Sequence, residues 1–323
     1  MPQNEFERIK SYFAPLAANF SGALSLKDDA ALLYTEVDHE LVVTTDTIVK
    51  GIHYIGDETP GFIARKLLRV SLSDLAAMGA EPLAYTLNIA LPRETSDKWL
   101  EDFSSGLQAD QAEFGIHLAG GDSVSTPGFA VLTATLFGTV KTGDAVRRSG
   151  AAPGDLIFVS GTIGDAAFGL SIALQEFKAN KLDNDFLEAR YRLPQPRLRL
   201  GYCLKEAATA AADISDGLLA DLGHITEASA CGALIELEKI PLSTAVRRLV
   251  DEDSDRWEKV LTGGDDYEII FTAPNQSCVA DISAKLKLPI TPIGRIVSGR
   301  SVEILNSRGD PITFESAGYK HFE

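Results

Sequence analysis

Aspartates beside small residues recur along the chain, and they are the side chains best able to do chemistry. They fall in six places, namely Asp28–Asp29, Asp46, Asp74, Asp122, Asp213 with Asp216, and Asp265–Asp266. Any one of them alone fits a turn or a helix cap. Gathered at one site, these carboxylates would repel each other unless a cation were bound. Mg²⁺ combines a few carboxylates with water and substrate phosphates, so the clusters predict a polyphosphate site held by metal ions.

The segment Leu41–His53, with the sequence LVVTTDTIVKGIH, is the clearest candidate for part of such a site. Its apolar start, Leu41–Val43, predicts a buried strand. Thr44–Thr47 then places three hydroxyls and a carboxylate where we expect the strand to end, although these residues could instead cap a helix. Asp122 and Asp213 also follow apolar runs. We therefore expect these aspartates and that of the segment to converge at one sheet edge.

Asp74 is the aspartate for which a cap is the weakest explanation. The spacing of apolar residues over Pro60–Gly79 predicts a helix that ends at the glycine. Asp74 lies inside this helix, on the face next to Leu72 and Leu75. A side chain in the interior of a helix cannot cap it, so a metal-binding role is favoured.

Phosphate binding has to depend on an unusual set of groups, because the chain contains neither GxxxxGK[ST] nor GxGxxG. Glycine pairs let a phosphate approach the backbone closely, and Gly120–Gly121 is such a pair. The candidates for ATP contacts are Gly120, Gly121, Arg148 and Ser215. Arg148 stands in a polar turn, so a solvated surface role is the alternative for it.

His53 lies seven residues past Asp46 and is the histidine placed to contact a substrate. A structural role is the alternative, since a lone histidine often serves only to satisfy local hydrogen bonds.

Composition restricts the class of protein. The 323 residues carry a net charge of −16, which argues against general nucleic-acid binding. No apolar run is long enough for a membrane span, and the polar N-terminus lacks the features of a secretion signal. Cys203, Cys231 and Cys278 lie far apart without a CxxC motif, so we expect neither a disulfide framework nor a structural zinc site. These features predict a cytoplasmic protein.

Predicted strands and helices alternate along the chain, which indicates an α/β or α+β fold. One amphipathic helix is predicted over Ser96–Phe114, with Ser96 as its N-cap. In the second half, Lys178–Asp185 is predicted to be a polar loop and Pro196–Ala212 to be helical. The turn-rich, basic segment near Thr142–Arg148 predicts a domain boundary, which gives domains of residues 1–142 and 143–323.

Eight motifs occur in an order that resembles the thiamine-monophosphate kinases, and the resemblance runs from about residue 5 to the C-terminus. They are SLKDDAALL, TTDTIVKGIHY, VSLSDLAAMGAEP, AGGDSV, RRSGAAPGD, ADISDGLLADLGHI, GGDDYEIIF and GYKHF. The resemblance implies the two-domain fold of the aminoimidazole ribonucleotide synthetase superfamily. In that fold the N-terminal domain binds ATP and metal ions and dimerises by strand pairing, the C-terminal domain is α/β, and the active site lies in the cleft between the domains.

The activity implied by the resemblance is transfer of the γ-phosphoryl group of ATP to thiamine monophosphate, with several Mg²⁺ ions. The products are thiamine diphosphate and ADP, and the implied assembly is a homodimer. Because the acceptor is itself an ionised phosphate, no general base is expected, and catalysis rests on positioning and charge neutralisation.

Site residues follow from the resemblance by position. The metal ligands are Asp29, Thr44, Thr45, Asp46, Asp74, Asp122, Asp213 and Asp216. The ATP contacts include Gly121, Arg148 and Ser215, and the substrate contacts are His53, Asp265 and Tyr319.

Three positions depart from the family pattern. Lys27 stands where the family usually has glycine, Ser123–Val124 replaces a Thr-Thr pair, and Asp265 replaces a glutamate that is one methylene longer. The alternatives to the kinase are another ATP-dependent synthetase of the superfamily and a non-catalytic regulator that binds nucleotide or metal. Selenophosphate synthetase needs a reactive residue near its N-terminus, and the first cysteine here is Cys203. The hydrogenase maturation protein needs a C-terminal cysteine, and this sequence ends in Lys-His-Phe-Glu.

Overall fold

The computed structural model describes residues 5–27, 30–314 and 318. The chain divides into two compact units. The first comprises Met1–Leu75 and Ala80–Gly143, and the second comprises Ala76–Gly79 and Asp144–Glu323. Each unit contains one sheet with helices packed on it, so the predicted two-domain α/β architecture is confirmed.

A four-stranded sheet forms the first unit, in the order β1-β4-β2-β3. β1 and β2 each pair antiparallel with β4, whereas β2 and β3 are parallel. The strands are β1 (His39–Val49), β2 (Glu81–Pro92), β3 (His117–Thr126) and β4 (Val131–Lys141).

Two long helices and a series of short N-terminal segments accompany this sheet. The short segments are α1 (Glu5–Arg8), a π-helical turn (Ile9–Phe13), α2 (Ala14–Ala17) and a 3₁₀ segment (Ser21–Leu26), and the long helices are α3 (Pro60–Ala77) and α4 (Asp97–Phe114). Both long helices were predicted. Ser96 caps α4 by accepting the backbone N–H of Trp99, as expected from its short polar side chain.

β1 differs from its prediction in a way that matters for the site. The strand continues through Thr44–Thr47 to Val49, so these polar residues lie inside the strand and neither end it nor cap a helix. Alternate side chains of a strand point to opposite faces. Thr44 and Asp46 therefore face the helices, whereas Thr45 and Thr47 lie on the exposed outer face. There they contact Thr135 and Thr133 of β4 through their hydroxyls.

A seven-stranded sheet forms the second unit, in the order β11-β10-β7-β9-β5-β8-β6. Only β7 and β10 pair in parallel within this order. The strands are β5 (Leu156–Ser160), β6 (Ala210–Asp213), β7 (Gly232–Glu236), β8 (Ile269–Ala273), β9 (Ile290–Val297), β10 (Val302–Leu305) and β11 (Pro311–Ile312).

The helices of this unit surround a core of buried aliphatic side chains from β5, β6, β7 and β8. They are α5 (Asp165–Ala173), α6 (Lys181–Arg192), α7 (Leu198–Leu204), α8 (Leu218–Ala228), α9 (Thr244–Glu252), α10 (Trp257–Thr262) and α11 (Gln276–Leu286), with 3₁₀ turns at Leu237–Lys239 and Ser254–Arg256.

Two predictions in this unit are wrong. Lys178–Asp185 was expected to be a loop, but α6 begins at Lys181, where Asn180 caps it by accepting the backbone N–H of Asp183. Pro196–Ala212 was expected to be one helix, but α7 ends at Leu204 and Ala210 already belongs to β6. An alanine-rich strand is hard to recognise because alanine has a strong helix propensity.

No helix within the described ranges has both the length and the apolar character needed to span a membrane.

Candidate active site

Two carboxyl groups of the first unit, those of Asp46 and Asp74, meet between β1 and α3. The Thr44 hydroxyl donates to Asp74 Oδ2 at 2.5 Å, and the Ser71 hydroxyl donates to Asp46 Oδ2 at 2.6 Å. The carboxyl group of Asp74 also lies within hydrogen-bonding reach of that of Asp46. The cluster thus offers only oxygen ligands, as a hard cation such as Mg²⁺ prefers.

Burial raises the pKa of Asp46 above its ordinary value. Hydrogen bonds from Ser71 and Asp74 and the nearby His53 act in the opposite direction. Two neighbouring carboxylates repel each other, and a bound divalent cation would balance their charge. The residues present therefore fit a metal ion.

His53 lies in a tight turn that follows β1. The backbone N–H of Val49 donates to His53 Nδ1 at 3.1 Å, and the N–H of Gly51 donates to the Tyr54 carbonyl at 2.7 Å. Because Nδ1 accepts, the proton of the neutral ring is on Nε2. Gly51 has a φ of 81°, which favours glycine. The turn fixes the tautomer and the orientation of the ring.

Lys66 of α3 also holds this turn in place, through a hydrogen bond to its backbone. Its side chain is only 3% exposed, and Nζ donates to the His53 carbonyl at 3.0 Å. A buried ammonium is costly unless it is well hydrogen-bonded, so its use here indicates that the position of the turn matters.

Gly120 and Gly121 lie within β3, where the chain passes close to β2. A Cβ at Gly121 would lie 1.9 Å from the carbonyl oxygen of Leu87, whereas a Cβ at Gly120 would meet nothing within 4 Å. Only glycine at the second position allows this approach of the two strands. A cavity of about 460 Å³ lies beside the pair, lined by Gly120–Ser123 and by apolar side chains that include Ile9 and Phe13.

Contrary to the prediction, Asp122 does not lie beside Asp46 and Asp74. β3 and β1 are opposite edge strands of the sheet, which separates them by three strand spacings, or roughly 14 Å. Asp122 is level with Asn88, Thr133 and Thr47, so its side chain shares the outer face with them. It accepts the backbone N–H of Ser123 at 2.8 Å.

The expected convergence at one sheet edge is therefore wrong for this set of aspartates. Asp46 and Asp122 occupy opposite edge strands of the first sheet, and Asp213 ends an edge strand of the second sheet. Thr45 is also separated from the pair, because strand alternation places its hydroxyl on the outer face. The metal-binding roles assigned to Thr45, Asp122 and Asp213 stay predictions.

The second unit holds its predicted residues in the loop between β6 and α8. Asp213 is buried at the end of β6, and Ser215 and Asp216 follow it. Gly217 is the N-cap of α8 and has a φ of 115°, and a Cβ there would lie 2.8 Å from the backbone of Thr262. Close backbone packing therefore fixes where this loop turns into the helix.

A buried carboxylate that was not selected from the sequence holds this loop. Asp221 Oδ2 accepts the backbone N–H groups of Ser215 and Asp216 at 3.0 and 3.1 Å. The pKa of Asp221 is raised to about 7, chiefly by burial and also by the charge of Asp216, against the lowering effect of the two backbone hydrogen bonds and of Arg148. One ligand atom each of Asp216, Asp221 and His224 lies within 4.8 Å of the others.

Asp265 lies in the adjacent Gly263–Glu268 loop. Its φ of 71° is unusual for a residue other than glycine, and its N–H donates to the Ser215 carbonyl at 2.9 Å. Next to it, burial raises the pKa of Asp266 to about 8, although Gly164 and Ala166 donate backbone N–H groups to its carboxyl. The loop is thus held in one conformation from both sides.

Glu268 anchors the end of this loop in a buried ion network. Arg190 donates to Glu268 Oε1 at 2.9 Å, Arg197 and the Ser160 hydroxyl donate to Oε2 at 2.6 Å each, and a second Arg197 nitrogen also contacts the carboxylate. Such a network orders the backbone around it, because every charge has a partner.

Asp29 and Tyr319 fall outside the described residues, and the roles assigned to them stay predictions. Ser71, Lys66 and Asp221 were not selected from the sequence. Ser71 precedes Asp74 by three residues, which places it on the neighbouring helical position. Asp221 stands one turn into the helix after ISDG, where an acidic residue often contacts the preceding backbone. Nothing in the sequence distinguishes Lys66 from a surface lysine.

Two family models match this chain and define its class. The N-terminal domain of AIR synthase related proteins matches residues 27–140, and the C-terminal domain matches residues 152–305. Together they show a two-domain protein of the AIR synthase related type.

Among relatives, the thiamine-monophosphate kinase of Salmonella typhimurium is 40% identical over 329 residues, which is 100% of this chain and 99% of the relative. The crystal structure of thiamine-monophosphate kinase from Stenotrophomonas maltophilia is 42% identical with a TM-score of 0.80, covering 86% of this chain and 89% of the other. AaThiL complexed with AMPPCP and TMP is 29% identical with a TM-score of 0.78, covering 91% of each. The chain belongs to the thiamine-monophosphate kinase family.

Proposed function

We propose that this protein transfers the γ-phosphoryl group of ATP to thiamine monophosphate and releases thiamine diphosphate and ADP. Family membership over the whole chain supports the reaction. The observation that carries it is the hydrogen-bonded pair of Asp46 and Asp74, ringed by the hydroxyls of Thr44 and Ser71. An oxygen-only cluster of this kind suits a metal-dependent reaction of phosphates.

We assign Mg²⁺ to this cluster as the natural counter-ion of ATP. Thr44, Asp46 and Asp74 would hold it in the first unit, and Asp29, Thr45 and Asp122 are the predicted ligands of further Mg²⁺ ions. Asp213 and Asp216 are the predicted ligands of the second unit. When bound, Mg²⁺ neutralises the repulsion between two phosphorylated anions and the charge that develops in the transition state.

The chain itself binds and orients both substrates in this proposal. The cavity beside Gly120 and Gly121 is large enough and apolar enough on one side to receive part of ATP. Arg148 and Ser215 of the second unit are the predicted contacts to its phosphates. We assign residues 1–142 to ATP, metal binding and dimerisation, and residues 143–323 to the C-terminal α/β domain.

Thiamine monophosphate presents an aromatic pyrimidine and a thiazolium cation to the residues around it. His53, with its Nε2 proton fixed by the turn, would face the organic part of this substrate, together with Tyr319. Asp265 would add a carboxylate, which suits a cation. The phosphate acceptor is already ionised near neutral pH, so the chain needs no general base, and direct in-line transfer depends on alignment of the two phosphates.

We also propose a homodimer formed through the first unit. β1 is an edge strand. The outer face of its sheet carries the exposed side chains of Leu41 and Val43 and, on the same face, a group of threonines. An edge strand next to an apolar face favours association. The three free cysteines fit a reducing cytoplasm, where we place the protein.

A coupled assay of ADP release tests the function directly. With ATP and Mg²⁺ present, we expect ADP release on addition of thiamine monophosphate and none on addition of thiamine. The Asp46→Asn variant should lose about 100-fold or more of the rate. Asp102→Asn removes an exposed carboxylate of α4 in the same unit and should keep the rate. Near-normal turnover of Asp46→Asn at saturating Mg²⁺ would show that the metal assignment is wrong.

A further inference from the structure

Asp221 is a buried carboxylate to which the proposed reaction assigns no role. It lies on the first turn of α8, and its side chain is 1% exposed. Gly217 at the N-cap has no side chain, so the usual capping acceptor is missing there. Asp221 instead reaches back and accepts the N–H groups of Ser215 and Asp216. A carboxylate in the first turn is also favoured by the helix dipole.

The peptide group on the C-terminal side of Ser215 is also fixed by its neighbours. Its carbonyl accepts the N–H of Asp265 at 2.9 Å, and a Cβ at Gly264 would lie 2.3 Å from that same carbonyl oxygen. The N–H of Ser215 is thus fixed by Asp221 and its carbonyl by the Gly264–Asp265 backbone. With both peptide groups fixed, the direction of the Cα–Cβ bond of Ser215 is fixed too.

Two charged groups of the second unit act on Asp221. The carboxylate of Asp216 and the guanidinium of Arg148 both act on it electrostatically. Asp221 therefore lies among three residues of the second unit that are assigned to ATP or metal, namely Arg148, Ser215 and Asp216.

We propose that Asp221 is a positioning residue for nucleotide binding: its two backbone hydrogen bonds set the conformation in which Ser215 and Asp216 meet Mg²⁺-ATP. The inference rests on the proposed function only for the assignment of those two residues. In this proposal Asp221 acts only through the backbone of Ser215 and Asp216.

Three variants separate hydrogen-bond geometry from charge. Asp221→Asn keeps an acceptor oxygen in place and removes the charge. Asp221→Glu keeps the charge and displaces the carboxylate by one methylene. Asp221→Ala removes both, which leaves two backbone donors without their acceptor and lets the loop relax. Positioning predicts that the asparagine variant is the least affected of the three.

Isothermal titration with Mg²⁺ and AMPPCP measures nucleotide binding without turnover. For the full chain we expect the Kd to rise about tenfold for Asp221→Ala, severalfold for Asp221→Glu, and less than about threefold for Asp221→Asn. Asp183→Ala is the matched control, because Asp183 is a buried carboxylate of the same unit that pairs with Arg248. It should lower the thermal stability and leave the Kd unchanged.

The relative affinities of Asp221→Glu and Asp221→Asn for the nucleotide test the proposal. Tighter binding by Asp221→Glu than by Asp221→Asn would overturn the proposal, since charge and not backbone geometry would then govern affinity. Wild-type affinity in Asp221→Ala would overturn it as well. Failure of the kinase reaction is a different result: a wild-type protein that binds AMPPCP but releases no ADP with thiamine monophosphate contradicts the proposed function and leaves the positioning role intact.

Discussion

The hydrogen bond from Ser71 to Asp46 can be tested with a matched pair of serines on one helix. Ser71 and Ser73 both lie on α3, and both are fully buried. The Ser71 hydroxyl donates to the Asp46 carboxyl at 2.6 Å. The Ser73 hydroxyl has no hydrogen-bond partner within the described part of the chain. Replacing each by alanine removes one oxygen atom in both cases, but removes a hydrogen bond in only one.

The magnitude follows from this difference. A hydrogen bond to an ionisable group contributes about 1.5–3 kcal/mol, and Asp46 keeps its contact with Asp74, so the lower end of that range applies to Ser71→Ala. Ser73→Ala removes a buried hydroxyl that has no hydrogen-bond partner, so we expect the free energy of unfolding to stay unchanged or to rise by up to about 1 kcal/mol. The two variants should differ by about 1.5–2.5 kcal/mol in the free energy of unfolding.

Urea unfolding without Mg²⁺ measures the change in the free energy of unfolding. A Mg²⁺ titration of ADP release measures how each variant changes the Mg²⁺ dependence of the reaction. Ser71 orients a predicted metal ligand, so Ser71→Ala should also raise the Mg²⁺ concentration at half-maximal rate by up to about tenfold. Ser73→Ala should leave it unchanged. Equal stability and equal Mg²⁺ dependence of the two variants would refute the role of Ser71 in holding the acidic pair.

Three further predictions concern other parts of the site. Lys66→Met should raise the KM for thiamine monophosphate severalfold and leave that for ATP unchanged, because Lys66 holds the His53 turn; equal rises would contradict this. Gly121→Ala should lower the free energy of unfolding by about 3 kcal/mol, whereas Gly120→Ala should leave it nearly unchanged in the same urea experiment. Burial raises the pKa of Asp266 above that of the unfolded chain, so the folded state keeps a proton that the unfolded state releases. Between about pH 4 and pH 8 this group makes the free energy of unfolding fall as pH rises, by up to about 1.4 kcal/mol per unit, and Asp266→Asn should reduce the slope of stability against pH by that contribution.

Elements with strong local signals could be predicted from the sequence. The helix α3 has apolar residues at helical spacing, and α4 has a serine N-cap, so both were predicted close to their observed bounds. The prediction of a loop over Lys178–Asp185 was wrong because the polar composition of this segment concealed a helix, and the start of that helix depends on the Asn180 cap. The predicted end of β1 was wrong because threonine is common both within strands and at their ends. Pairing with β4 extends the strand through the threonines.

Candidate site residues were easier to select than to arrange. Local chemistry and the family resemblance selected Asp46 and Asp74, and the structure brings them together across β1 and α3. The expected position of Asp122 beside them was wrong, since strand order is a long-range property that no short motif contains. Lys66 and Asp221 escaped selection for a related reason. Each acts on the backbone of a distant or preceding segment, and only the folded chain shows that contact.

Chromatographic quantification of thiamine diphosphate and ADP in one reaction tests the central claim most directly. With ATP, Mg²⁺ and thiamine monophosphate, we expect that the two products form in equal amounts, that both disappear when Mg²⁺ is chelated, and that both fall about 100-fold in Asp46→Asn. ADP formed without thiamine diphosphate, or equal product yields from the wild type and Asp46→Asn, would contradict the proposed reaction.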